Sequence, residues 1–316
     1  MRFNCENIIN IDYSDNNMCM ISTEIRAVAA TKLFCGLNNK KTRQITVYSN
    51  TVDNVSKNNA MVLPVPFPKS VVFHNLENYK TFFSDCESCF YKPMARSLSM
   101  NYDGDSYTGQ SAKLAVFNVG SYKVSLAMSI GDLKKVDTTV FELSDGLDKV
   151  LKKYYSKPIF GFIICKLTVG NEKYHPFAYS HDIIKGKVFI PTRHYHDETK
   201  TSHYYKTSYF GPRDYHSFDN INNSLMFGEF EGRLPQITNT YPNMADDWDH
   251  DIYLYNVDLN SNSEVKKMNQ CKSKWSGKVK INFDKLDFPL DEKCDVFTKI
   301  EINGAHRNMD IVLATY

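Results

Sequence analysis

Seven of the nine histidines fall between positions 175 and 250: His175, His181, His194, His196, His203, His216 and His250. Imidazole ligates zinc and iron, and His194-Tyr195-His196 follows the strand-like run Val188-Phe189-Ile190-Pro191. If that strand continues, both imidazoles project from one face, as two ligands of a single ion would. Asp197, Glu198 or His203 would complete a facial site, with His175 as a further candidate ligand. The chemistry implied is metal-assisted hydrolysis or oxygenation, with zinc, iron or manganese as the cofactor.

Two well-defined patterns use such a pair, and neither fits. The cupin pattern needs a glutamate where this chain has Lys200 and Thr201. The metallo-β-lactamase pattern is His-x-His-x-Asp-His, whereas Asp197 here follows the pair directly. Asp247, Asp249 and Asp251 begin like a calcium-binding loop, but its sixth position is Ile252 in place of glycine and its twelfth is Asp258 in place of glutamate. They are expected to form a solvent-exposed acidic turn.

Cys86-Glu87-Ser88-Cys89 lacks the second close cysteine pair of a structural zinc site. It also sits late in an expected helix, away from the helix start that activates a redox thiol. Buried, inert cysteines are the reading. Pairings of Cys165 or Ser121 with a histidine carry no specificity without geometry. There is no phosphate-binding glycine loop, nucleophile elbow, zinc-protease helix or dinucleotide fingerprint.

The elements that position these residues are mostly strands. Glu24 to Leu37 and Gln44 to Ser49 flank the turn-rich Asn38-Asn39-Lys40 and read as a hairpin. Asn59 to Leu63 reads as a strand ended by Pro64-Val65-Pro66-Phe67-Pro68, whose prolines suit an edge or a crossover. Two further strands meet near Gly120-Ser121, and Ile159 to Val169 is a continuous apolar run suited to the middle of a sheet.

Two helices are expected. Leu76, Tyr79, Phe82, Phe83, Cys86, Cys89 and Phe90 share one face of a helix over 76–90. Ser144 caps another through 155, with Leu147, Val150, Leu151 and Tyr154 on its apolar side. The fold class is therefore α+β and β-rich, with mainly antiparallel sheets. A core domain over 1–211 precedes a β-rich C-terminal extension or second domain over 212–316, where short strands are expected at 225–230, 252–257, 278–283, 297–302 and 309–314.

Lys plus Arg number 38 against 36 for Asp plus Glu, so the formal charge of +2 creates no strong field for nucleic acid or anionic lipid. Nucleic acid remains a partner only through local stacking on the 20 tyrosines and 20 phenylalanines. No apolar run has the length of a membrane span, and no secretion signal opens the chain. An intracellular protein with eight reduced cysteines is expected. Abundant Asn, Lys, Tyr, Phe and Ile match AT-rich codons, as in a large DNA virus or a parasite.

Four segments also resemble landmarks of an uncharacterised protein family of bacteria and amoeba-infecting giant viruses. They are Asn59-Ala60-Met61-Val62-Leu63-Pro64-Val65-Pro66, Val119-Gly120-Ser121-Tyr122-Lys123, His175-Pro176-Phe177-Ala178, and Val188 through Asp197. The resemblance covers about residues 20 to 210. It implies no activity and no catalytic residues, but it favours a viral product in the host cytoplasm or the virion.

The reading that best accounts for the sequence is a non-enzymatic binding or structural protein with a protein partner and no cofactor. The alternative is a metal-dependent hydrolase or oxygenase using His194, His196 and partners among His175, Asp197 and His203.

Overall fold

The computed structural model describes residues 20–90, 113–184, 186–195, 245–257, 280–290, 294, 296–307 and 309–314. In the first part run β1 (Met20–Ile21), β2 (Ile25–Leu37), β3 (Arg43–Asn54), β4 (Ala60–Pro66), β5 (Val72–His74) and α1 (Phe82–Ser88). There follow β6 (Phe117–Val119), β7 (Tyr122–Ala127), α2 (Asp145–Tyr154), β8 (Phe160–Lys166), β9 (Gly170–Lys173), β10 (Phe177–Asp182) and β11 (Lys187–Ile190). The last strands are β12 (Ala245–Tyr255), β13 (Phe297–Arg307) and β14 (Ile311–Ala314).

The strands form a five-stranded sheet in the order β1-β4-β8-β7-β6 and a seven-stranded sheet in the order β13-β12-β2-β3-β10-β5, with β9 also on β3. Strands β11 and β14 pair as a separate ribbon. Every pairing between these strands is antiparallel except β12 beside β2. The α+β, β-rich expectation matches this architecture.

Side-chain alternation along the strands builds a four-layer stack. Leu33, Cys35, Tyr48, Phe177 and Tyr179 point from the larger sheet into a core shared with Met61, Leu63, Val124 and Ile163 of the smaller one. On the other face of the larger sheet, Phe34, Ile45, Val47 and Tyr253 meet Phe82, Phe83 and Cys86 of α1. On the far face of the smaller sheet, Val62, Phe162 and Ile164 meet Leu147 and Leu151 of α2. Both faces of each sheet are therefore covered, which is why β8 reads as an unbroken apolar run.

Prolines sit inside β4 without breaking it. Antiparallel pairing with β8 aligns Pro64 with Phe162 and Pro66 with Phe160. Phe67 N–H donates to Ile159 O, so by alternation the nitrogens of residues 64 and 66 face away from β8. The described β1 pairs with Met61 and Val62. The missing donors therefore lie on the side of β4 away from the β8 ladder.

The helix expected over 76–90 is broken. A 3-10 turn at Glu77–Tyr79 precedes α1. Asn75 Oδ1 accepts from Glu77 N–H at 2.9 Å, a local bond that competes with helix propagation. The apolar face survives the break, for Leu76, Tyr79, Phe82, Phe83, Cys86, Cys89 and Phe90 are all buried. Helix α2 begins as expected, with Ser144 Oγ accepting from Leu147 N–H at 3.2 Å. Its end differs: Tyr155 is buried and Tyr154 is exposed.

The expected boundary between 211 and 212 lies outside the described residues. Strands from both sides of it share one sheet, since β12 pairs with β2 over His250 to Tyr255, and β14 pairs with β11. Residues 225–230 also lie outside the described residues. The expected strand at 278–283 is absent from its described part, 280–283, which is irregular and enters a 3-10 turn at Phe283–Leu286.

Asp247 to Asp251 form no turn. They lie within β12, paired residue by residue from Asp247↔Ala305 to Asp251↔Glu301.

Candidate functional site

The structure holds two polar junctions where sequence-distant elements meet, and the first contains His175. Strand β10 begins two residues after it, and the Gly120-Ser121 turn between β6 and β7 closes over its ring. Ser121 N–H donates to His175 Nε2 at 3.1 Å. With Nε2 accepting, Nδ1 carries the proton and donates to Pro176 O at 2.9 Å. Tyr122 OH donates to His175 O at 2.7 Å, and its ring meets the imidazole edge-on at 4.7 Å.

Gly120 is required at this turn. Its φ is +58°, and a Cβ there would lie 2.5 Å from His175 Nε2. Burial lowers the His175 pKa against the opposing bond to Pro176, so the imidazole stays neutral. Both ring nitrogens are thus committed to backbone groups, and binding a metal would break one of those bonds. Two of the segments quoted for the resemblance, at 119–123 and 175–178, are the two halves of this junction.

The other two segments also hold joints. Asn59 Oδ1 accepts from Thr23 N–H, while its Nδ2 donates to Thr23 O and Asn54 Oδ1. The Val188–Asp197 segment ends its strand at Ile190. Thr192 Oγ1 then donates to Met309 O at 2.8 Å, and Arg193 N–H to Asp310 Oδ1 at 3.1 Å. Tyr155 OH donates to Asp310 Oδ2 at 2.6 Å, and the Arg193 guanidinium stacks 3.6 Å from the centre of the Tyr154 ring. Tyr195 O accepts from Ile21 N–H at 2.7 Å.

Of the expected metal ligands, His194 is half-buried in this segment, and His196, Asp197 and His203 lie outside the described residues. His194 and His175 stand in separate joints, one on β1, α2 and β14 and the other on β6, β7 and β10. Among the described residues no three His, Cys, Asp or Glu side chains are grouped as a metal site.

The second junction was not visible in the sequence. Lys299 of β13 is 3% exposed, yet its Nζ lies 2.8 Å from Glu87 Oε2 of α1, 3.2 Å from Asp251 Oδ1 of β12 and 2.7 Å from Glu301 Oε1. Tyr253 OH donates to Glu87 Oε2 at 2.6 Å, and Lys32 of β2 stands 3.8 Å from Asp251. Burial alone would lower the Lys299 pKa, but bonds to Glu301 and Glu87 raise it above the ordinary lysine value. Burial would raise Glu87, and the bonds from Lys299 and Tyr253 pull it down instead. Both groups are held charged.

Among the described residues the cysteines and His181 are buried. Desolvation pushes Cys35 up to about 12 and raises Cys86, Cys89 and Cys165, as the reading of inert thiols requires. His181 is 1% exposed and lowered to about 4 by burial, with Nδ1 facing Asp182 O at 2.8 Å. Gln44, also buried, copies a strand: its Oε1 accepts from Phe189 N–H at 3.0 Å and its Nε2 donates to Phe189 O at 2.7 Å. This bond docks the β11–β14 ribbon on β3.

Among the described residues no helix is long and apolar enough to cross a membrane. No known protein-family model matches the sequence. Solved structures with some likeness are chains of baculovirus P35. One crystal structure of P35 aligns at 14% identity over 94% of this chain and 99% of its own, with a TM-score of 0.45. A mutated P35 after caspase cleavage gives 12% identity over 91% of this chain and all of its own, at 0.44. P35 in complex with caspase-8 gives 12% identity over 91% and 96%, at 0.38. At these values no role is carried from P35 to this chain.

Proposed function

We propose that this chain is a non-enzymatic protein-binding factor of a large DNA virus, a virion component or a factor engaging a host or viral macromolecule. The observation that supports the reading is the commitment of reactive groups among the described residues. His175 has both ring nitrogens bonded to backbone, Lys299 is held by three carboxylates, and the cysteines at 35, 86, 89, 165 and 294 are buried. Such groups stabilise a scaffold, and loops and edges on a rigid scaffold are the usual places of contact.

Affinity capture of the tagged full chain from expressing or infected cells tests this. A stable, stoichiometric protein partner is expected, and recovery of nucleic acid alone or of nothing overturns the reading. Caspase-8, present in the P35 complex, serves as one defined probe in a direct binding assay.

The alternative reading rests on His194, His196, Asp197, His203 and His175. Protein purified without a histidine tag is expected to carry no stoichiometric zinc, iron or manganese by elemental analysis. Bound metal that disappears in the His194→Ala, His196→Ala double variant would replace the binding reading with a metal-dependent one.

A further inference from the structure

Between β4 of the smaller sheet and β5 of the larger one the chain turns at Phe67, which occupies left-handed backbone at φ 51°, ψ 58°. A bulky residue there is a true outlier, and Pro68 after it pushes its predecessor toward extended backbone. Glycine would occupy the position without strain.

The surroundings fix the strain in place. Phe67 N–H donates to Ile159 O at 2.8 Å, and Phe67 O accepts from Ser70 N–H at 2.8 Å and from Ser70 Oγ at 2.8 Å. Ser70 is itself held by two neighbouring strands of the larger sheet: its O accepts from Arg43 Nη2 of β3 at 2.9 Å and its Oγ from Asp182 N–H of β10 at 2.9 Å. Pro68 packs over Gly161, where a Cβ would lie 2.5 Å from both Pro68 Cβ and Ala127 O.

All this organisation leaves Phe67 37% exposed, with Val72 at 49% and Met128, next after Ala127, at 42%. Single exposed apolar side chains need no explanation, but a strained and locked one does. An aromatic side chain carried on backbone already fixed by hydrogen bonds adds little loss of backbone entropy on docking, which favours it as an interface anchor. Two exposed lysines bracket it: Lys69 in the same turn, and Lys157, two residues before the Ile159 carbonyl that holds Phe67. None of the ion pairs among the described residues involves either lysine.

We propose that Phe67 is a preorganised anchor for a protein partner that presents an apolar pocket rimmed by Asp or Glu. This rests on the protein-binding reading and places its contact at the crossover between the two sheets. The lysines would steer such a rim and lie over it once the ring is seated.

A photoreactive benzoylphenylalanine placed at position 67 of the full chain, and at Val169 (55% exposed) and Val312 (39% exposed) as controls, tests it in cells. The expected result is one protein adduct formed at 67 and at neither control, mapped by mass spectrometry to an apolar site flanked by acidic residues. Against that captured protein, Phe67→Gly is expected to weaken binding at least about tenfold. The same variant should melt no lower than wild type, because glycine relieves the backbone strain. The Lys69→Glu, Lys157→Glu pair should weaken binding with a reduced dependence on salt.

Equal labelling at all three positions, or wild-type affinity in Phe67→Gly, overturns the proposal. So does a large drop in melting temperature for Phe67→Gly, which would make the ring a packing residue. If a partner is captured by the tagged chain but not through position 67, the anchor is wrong and the binding reading stands. If nothing is captured by either route, both fall.

Discussion

The His175 and Lys299 junctions each bury a polar side chain where distant elements meet, but they are built from opposite chemistry. At His175 every partner is a neutral backbone group, and one tautomer satisfies them all. At Lys299 one ammonium faces carboxylates from three places in the sheet and helix. The neutral joint tolerates no change of shape, as the Gly120 contact indicates. The charged joint tolerates little change of charge, because losing its buried cation leaves three carboxylates facing one another with only Lys32 beside Asp251.

Substitutions that remove one centre at a time should separate the two. The largest effect is expected for Lys299→Met, a loss of about 3–5 kcal/mol in denaturant unfolding, since breaking a buried ion cluster leaves uncompensated charge. Adding Glu87→Gln to that variant should recover part of the loss. A loss that is not reduced by the second change would mean that packing, and not charge, dominates the joint.

His175→Leu is expected to cost less, about 2–3 kcal/mol, from the unsatisfied Ser121 N–H and the lost packing against Tyr122. Its cost should be nearly the same at low and high salt, whereas that of Lys299→Met should shrink as salt screens the half-exposed carboxylates. Equal salt dependence in the two variants would erase the distinction between them.

The smallest effect, on the order of 1 kcal/mol, concerns acid. His175 has a folded pKa below its ordinary 6.5, so its contribution is full above that value and is lost as the pH falls below it. Glu87 has a folded pKa below its ordinary 4.5, so its contribution persists to about that pH and is lost only under stronger acid. The advantage of wild type over His175→Leu should therefore shrink between pH 6.5 and 5, while its advantage over Lys299→Met stays level there. Unfolding curves at three pH values decide this.

The same pair of joints explains what could be read from the sequence. His175 and Gly120-Ser121 stand in short segments whose composition was visible, although their contact, 54 residues apart, was not. Lys299 and Glu87 are separated by 212 positions in four different elements' surroundings, and no local pattern connects them. Local physics was legible where one element decides: the period of the α1 face, the Ser144 cap, the turn at Asn38. It failed where tertiary contacts decide. Tyr154 and Tyr155 exchange roles because Asp310, far along the chain, takes the Tyr155 hydroxyl. Asp247 to Asp251 read as a turn on charge alone, although their alternation with Trp248 and His250, running into Ile252-Tyr253-Leu254-Tyr255, carries the period of a strand.

The parallel pairing of β12 with β2 sets a schedule for synthesis. β2 leaves the ribosome early and can pair at once with β3, but its other neighbour begins at residue 245, more than 190 residues after β2 has ended. Until then one edge of the central hairpin, and the apolar face that later meets Tyr253 and Tyr255, must wait uncovered. Such a topology closes slowly and is exposed to misassembly while it waits. Truncations that remove β12 and β13 should therefore yield an aggregating chain and not a smaller folded one.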